Sequence, residues 1–209
     1  MNIKYSETFF SAQGEGHYVG IPSLWMRFFL CNLQCNGFGQ VEPTNPETWD
    51  LPYEKIDISE ITDVMDLPVF DKGCDSSYTW ARKYRHLITD RTVDAAVDEL
   101  IALLPHGQFK QPVTGQWAHM VFTGGEPMLK NTQPGIVAVM QEFYRRGVLP
   151  KNVTIETNGT RDITRELAGY IEDFVWEGGE WFWSVSPKLW STAGENHSKA
   201  ICPEVVAGY

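Results

Sequence analysis

Four apolar runs in this chain each break off into a polar or glycine-rich cluster, and helical patterns lie between them. Ile21–Leu30 (IPSLWMRFFL) runs into Cys31-Asn32-Leu33-Gln34-Cys35, and Ala118–Phe122 into Thr123-Gly124-Gly125-Glu126-Pro127. Val153–Thr157 closes in Glu156-Thr157-Asn158-Gly159-Thr160, and Trp181–Val185 in Ser186-Pro187-Lys188. Short, strongly apolar runs of this kind read as strands buried on both faces. Thr92–Leu104, Ile136–Arg146 and Ile163–Val175 carry apolar residues at helical spacing; Thr92 is a candidate N-cap, Pro105 follows the first helix and Gly147 closes the second. Alternating strands and helices predict an α/β fold built on a parallel sheet. Such sheets bind ligands just beyond the carboxyl ends of their strands, whether open or closed into a barrel. The four clusters are therefore the candidate site.

From Phe38 to Gly73 the pattern fails. The stretch holds Pro43, Pro46, Pro52 and Pro68, many acids and little periodicity, with one helical turn expected around Ser59–Met65. A loop of this length inside a compact domain is uncommon and usually functional. The expectation is a single domain over 1–209 that carries an insertion over about 38–91.

Composition narrows the class. Seventeen Lys and Arg against 27 Asp and Glu give a formal net charge of −10 and a pI of about 4.9, which argues against a grip on nucleic acid or an anionic membrane. Neither a membrane-length apolar run nor the apolar core of a signal peptide is visible, so a soluble cytoplasmic protein is expected. The cysteines stand at 31, 35, 74 and 202, unlike a secreted disulfide framework.

Each motif has a plain reading beside a functional one. Cys31 and Cys35 could be buried thiols, half a zinc site or two ligands of an iron–sulfur cluster; Cys74 joins them if the insertion folds back like a hairpin. Cys202, in an apolar run, reads as a packed core thiol. Gly124-Gly125 suits either a tight turn or a close backbone approach to a ligand, with Glu126 placed to receive an ammonium group. Asn158-Gly159 is an ordinary turn signal beside Glu156. Arg27, inside an apolar strand, needs an anion: an internal carboxylate or a bound one held by both guanidinium nitrogens. Trp176, Trp181, Trp183 and Trp190 crowd one region, mostly as packing.

Taken in order, the strand followed by CNLQC, then TGGEP, ETNGT and SVSPK resembles the radical S-adenosylmethionine enzymes. FSAQGEG near the start, with Arg27, narrows the resemblance to the 7-carboxy-7-deazaguanine synthases, over about residues 9–37 and 118–190. The resemblance implies an incomplete, modified (β/α) barrel, with a long insertion in the cluster loop. It implies a [4Fe-4S] cluster on Cys31, Cys35 and Cys74 that binds S-adenosylmethionine, and Mg2+ at Asp75. The implied reaction converts 6-carboxy-5,6,7,8-tetrahydropterin to 7-carboxy-7-deazaguanine, with ring contraction and loss of ammonia, in 7-deazapurine biosynthesis of the queuosine type. Arg27 and Glu15 would act on substrate, and Ala12, Gln13, Gly14, Thr123 and Glu156 would contact it. Phe38, Gly125, Glu126, Asn158, Ser186, Pro187 and Lys188 would line the cofactor. A flavodoxin or ferredoxin would supply electrons, and a homodimer is the assembly the family allows.

Two departures stand out. Phe38 occupies the place of the third cysteine in the usual C-x3-C-x2-C motif, and the chain stops at Tyr209 before the closing segments expected of the family, so a truncated or incompletely determined sequence, or an unusually open site, is expected. The competing functions are a radical activase that makes a glycyl radical on a protein partner and a non-catalytic zinc-binding module.

Overall fold

The computed structural model describes all 209 residues. One six-stranded sheet organises the chain: β1 (Asn2–Ala12), β2 (Pro22–Phe28), β3 (Thr89–Thr92), β4 (His119–Gly124), β5 (Asn152–Thr157) and β6 (Glu180–Val185), in the order β3-β1-β2-β4-β5-β6. β2, β4, β5 and β6 run parallel, so their carboxyl ends share one edge. The four strands expected from sequence are these four. Two further strands that the sequence pattern does not announce, β1 and β3, join the sheet antiparallel and make it mixed.

α1 (Pro52–Lys55) is a single turn; α2 (Val93–Leu103), α3 (Gln133–Arg145) and α4 (Arg165–Trp176) are the three helices of the periodic segments. Thr92 and Thr164 cap α2 and α4 by accepting from Ala95 N and Leu167 N. α2 packs on β1, α4 on β6, and α3 lies between them, covering one face. The core of 24 buried residues, including Met26, Phe28, Phe122, Ile136 and Ile155, lies between that face and the helices. α5 (Trp190–Ala193), α6 (His197–Ala200) and α7 (Pro203–Val206) are short turns near the end of the chain.

Alternation along β2 separates the faces. Leu24, Met26 and Phe28 enter the helix-covered core, so Ser23, Trp25 and Arg27 face the other side. Register then sets a polar row across the sheet: Glu7 opposes Arg27, Arg27 opposes Thr123, and on the next pair Glu156 opposes Ser184.

The insertion is not a bare loop. Its short 3-10 turns include Val64–Asp66, where a helical turn is expected, and Ser77–Thr79. Tyr53, Phe70, Ala81, Tyr84 and Leu87 form a separate small core. Its base closes where Gly73 N donates to Phe38 O at 2.8 Å, so Cys74 leaves the excursion beside the turn that Cys31 and Cys35 occupy.

Candidate active site

A cavity of about 320 Å³ opens where the parallel strands end, and all four terminal clusters reach it. Cys31, Cys35 and Cys74 are free thiols on its wall, packed around Leu33, Phe38 and Ala193. Burial pushes the Cys31 thiol up to about 12 and raises Cys35 and Cys74 as well; crowding adds to this for Cys31 and Cys35, since each is raised further by Cys74. Burial therefore favours the neutral thiols, and any cation held by them would have to offset the cost of their ionisation. All three line the cavity, but no group of three or more His, Cys, Asp or Glu side chains, these cysteines included, is placed to hold a single metal ion.

The loop that carries two of these thiols is held from several sides. Leu30 and Cys35 have left-handed φ values of 81° and 54°, a conformation that costs energy for side chains other than glycine. Leu33 N–H donates to Cys31 Sγ at 3.4 Å, and Gly37 N donates to Ala193 O at 2.9 Å. Asn158 donates through Nδ2 to Asn32 Oδ1 at 3.2 Å, and Asn32 donates to Thr160 Oγ1 at 2.9 Å, which ties ETNGT to CNLQC.

The glycine pair serves this architecture. A Cβ on Gly125 would lie 2.1 Å from Leu30 O, and one on Gly124 would lie 2.5 Å from Phe28 O. The close approach is between the ends of β2 and β4; Glu126 N completes it by donating to Leu30 O at 2.8 Å. Glu126 itself is fully buried behind the wall, away from the cavity. Its carboxylate accepts from Met128 N, Thr157 Oγ1 and Asn158 N, at 2.9, 2.7 and 2.8 Å. Burial raises its pKa, and these donors oppose that rise.

On the sheet floor, Arg27 donates through Nε to Glu7 Oε1 at 2.6 Å, and Tyr78 donates to the same oxygen at 2.8 Å. Burial alone would lower the Arg27 pKa, but Tyr78 and Glu7 outweigh it and hold the guanidinium above its ordinary range. Beyond Arg27, Glu156 accepts from Gln13 Nε2 at 3.0 Å and from Thr123 Oγ1 at 2.8 Å.

Of the residues singled out in the sequence, Glu15, Arg27, Phe38, Asp75, Thr123, Gly125, Glu156, Asn158, Ser186 and Lys188 line the cavity together with the three cysteines. Gln13 is buried just behind it, Ala12 ends β1 opposite Pro22, and Gly14 and Pro187 are exposed. Asp75 accepts from Ser76 Oγ at 2.7 Å. Cys202 is not the core thiol expected: it is partly exposed at the start of α7, because the apolar run around it forms a short turn on the surface. Trp181 and Trp183 pack on the core and Trp176 is 91% exposed; the tryptophan on the cavity is Trp80, from the insertion. Glu7, Tyr78, Trp80 and Glu195 escape sequence reading. Only Glu7 had a partial signal, the alternation of Ile3 and Tyr5, which the bulge before Glu7 interrupts.

The fold is a mixed α/β one, with a six-stranded sheet whose four parallel strands end on the cavity. A curated 7-carboxy-7-deazaguanine synthase of Bacteroides thetaiotaomicron is 48% identical over 167 residues, covering 80% of this chain and 58% of that protein. One of Halobacterium salinarum is 28% identical over 193 residues, covering 91% of this chain and 47% of that protein. The chain belongs to the 7-carboxy-7-deazaguanine synthase family, and it spans about half the length of the curated relatives it matches. No family model matches it. The crystal structure of QueE from Escherichia coli aligns with a TM-score of 0.43 at 20% identity, over 93% of this chain and 63% of that one. No helix is long and apolar enough to cross a membrane.

Proposed function

We propose that this chain converts 6-carboxy-5,6,7,8-tetrahydropterin to 7-carboxy-7-deazaguanine with release of ammonia, as a lyase of 7-deazapurine biosynthesis. The observation that carries the reading is the meeting, in one cavity, of three thiols with a polar row containing Arg27, Thr123 and Glu156. Arg27 offers its free guanidinium nitrogens to the pterin carboxylate. Glu156, held by Gln13 and Thr123, faces the same space as a fixed acceptor for the N–H groups of a pterin ring. Glu15 lines the cavity, and Ala12 at the end of β1 and Gly14 lie on either side of Gln13.

Cys31, Cys35 and Cys74 would hold the [4Fe-4S] cluster, with Leu33 N–H donating to Cys31. Gly125, Asn158, Phe38 and the Ser186-Pro187-Lys188 turn border the space where S-adenosylmethionine would lie, and Glu126 supports that wall from behind. Asp75 supplies a hard oxygen for Mg2+. Cluster and S-adenosylmethionine together supply radical initiation; the protein binds, orients and keeps water away. The open sheet is read as part of an incomplete (β/α) barrel in one domain, with the insertion over about 38–91. A flavodoxin or ferredoxin as electron donor, a homodimer and a reducing cytoplasmic setting follow from the same reading.

Anaerobic reconstitution followed by an assay with the carboxytetrahydropterin, S-adenosylmethionine and a reductant tests it. About four irons per chain and a deazaguanine product are expected. Iron without product would favour a glycyl-radical activase, and one zinc per chain a binding module.

A further inference from the structure

We propose that Glu7 and Tyr78 are positioning residues that clamp one edge of Arg27, so that its two terminal nitrogens are presented to the cavity as a fork for a carboxylate. Only Nε of Arg27 is engaged within the protein, by Glu7 Oε1 at 2.6 Å. The side chain is 20% exposed and lines the cavity, and its two terminal nitrogens make no hydrogen bond to the protein.

The pairing follows from the sheet. Glu7 sits directly opposite Arg27 on the antiparallel neighbour, and the bulge between Tyr5 and Glu7 shifts the register at this point. A lone carboxylate this close would concentrate its charge on the guanidinium and compete with an incoming anion. Tyr78 answers that problem: its hydroxyl donates to the same Glu7 oxygen at 2.8 Å and draws charge away from the arginine. Nε stays fixed while the opposite edge keeps its attraction for a second carboxylate.

Tyr78 also belongs to the insertion, four residues after Cys74. The neighbouring Thr79 O accepts from Leu30 N at 2.7 Å, which straps this turn to the end of β2. The segment that delivers the third thiol therefore also sets the arginine, and the cluster and substrate ends of the cavity share one support. The inference takes the identity of the ligand, a pterin carboxylate, from the function proposed above; the clamp itself does not depend on it.

The test uses the full chain, reconstituted anaerobically, as wild type and as Tyr78→Phe, Glu7→Gln and Glu7→Ala. Each is titrated by tryptophan fluorescence with pterin-6-carboxylate and with pterin lacking the carboxylate. Tyr78→Phe is expected to weaken the carboxylated ligand about three- to tenfold. Glu7→Ala is expected to weaken it about tenfold or more, and Glu7→Gln to recover part of that loss, because its amide oxygen still accepts from Nε. All four proteins should bind the ligand without the carboxylate alike. Equal weakening of both ligands, or no change in the carboxylated one, overturns the inference. Should Glu7→Ala fail to fold, Tyr78→Phe and Glu7→Gln carry the comparison.

A ligand-free measurement separates the clamp from the substrate. The Arg27 Nε–H signal, identified in nitrogen-edited NMR by its loss in Arg27→Lys, should exchange slowly in wild type and rapidly in Glu7→Ala. Slow exchange in a wild type that binds neither pterin would remove the pterin reading and leave the clamp. Rapid exchange in wild type would remove the clamp.

Discussion

Glu195 holds Cys35 from 160 residues away: one carboxylate oxygen accepts from Cys35 N at 2.9 Å and from the preceding Gln34 N at 2.5 Å. Two consecutive amides aimed at one anion form a nest, and here the chain fills it from within. The contact fixes a backbone that already bears a left-handed φ at Cys35. The Glu195 side chain is 8% exposed, so water replaces it poorly.

Glu195→Ala should therefore cost about 1–3 kcal/mol in urea denaturation of the apoprotein, the range for a lost charge-assisted bond. It should also lower the iron retained after reconstitution. Unchanged stability and full iron content would show that the nest is held without Glu195.

Gly125→Ala should destabilise by about 3 kcal/mol, because the new methyl must push the Leu30 carbonyl away and part the ends of β2 and β4. Gly169→Ala supplies the contrast. That residue is exposed inside α4 with nothing within 4 Å of its added Cβ, so a gain of about 0.5–1 kcal/mol is expected. Thermal melts of the two variants check both signs; two losses of similar size would sink the steric account.

Glu126 predicts a pH slope. Burial raises its folded pKa above the unfolded value of about 4.3. The folded state then binds more protons than the unfolded one between the two values, so its contribution is complete below about 4.3 and declines as pH rises through the folded pKa. Glu126→Gln should flatten that decline. At neutral pH it should also cost about 1–3 kcal/mol, because an amide NH2 would meet donors at Asn158 or Met128. Parallel urea midpoints for the two proteins from acid to neutral pH would contradict the assignment.

Cys74→Ala and Cys202→Ala should separate cleanly. Cys74 shares the cavity with Cys31 and Cys35, so its loss should remove the brown absorbance and most of the iron. Cys202 lies on the surface at α7, and its removal should leave both unchanged. A full cluster in Cys74→Ala would end its candidacy as third ligand.

Much of this arrangement can be read from the sequence because apolar runs and strand ends are local. β2, β4, β5 and β6 and the three helices fall where periodicity puts them. β1 carries Ile3 and Tyr5 in alternation, but the bulge before Glu7 breaks its period. β3 is the polar stretch TDRT and exists only because Asn2–Tyr5 pair with it, a non-local cause that no window contains. The glycines of TGGEP announce a close approach, yet sequence does not say what approaches; the partner is the protein's own Leu30 carbonyl. Glu126 shares that fate: a carboxylate beside glycines looks like a ligand contact until its three internal donors are counted.

The closure of the insertion between Phe38 and Gly73 bears on how the site comes into being. Two thiols sit in a single turn at the end of β2, while the third arrives only when the intervening segment has ordered around its own small core. Closing that excursion carries an entropic charge that grows only slowly with its length. If the three thiols hold the proposed cluster, iron uptake and the folding of the excursion would be one equilibrium: a chain with this segment frayed would offer metal two ligands, and bound metal would in turn draw the segment shut.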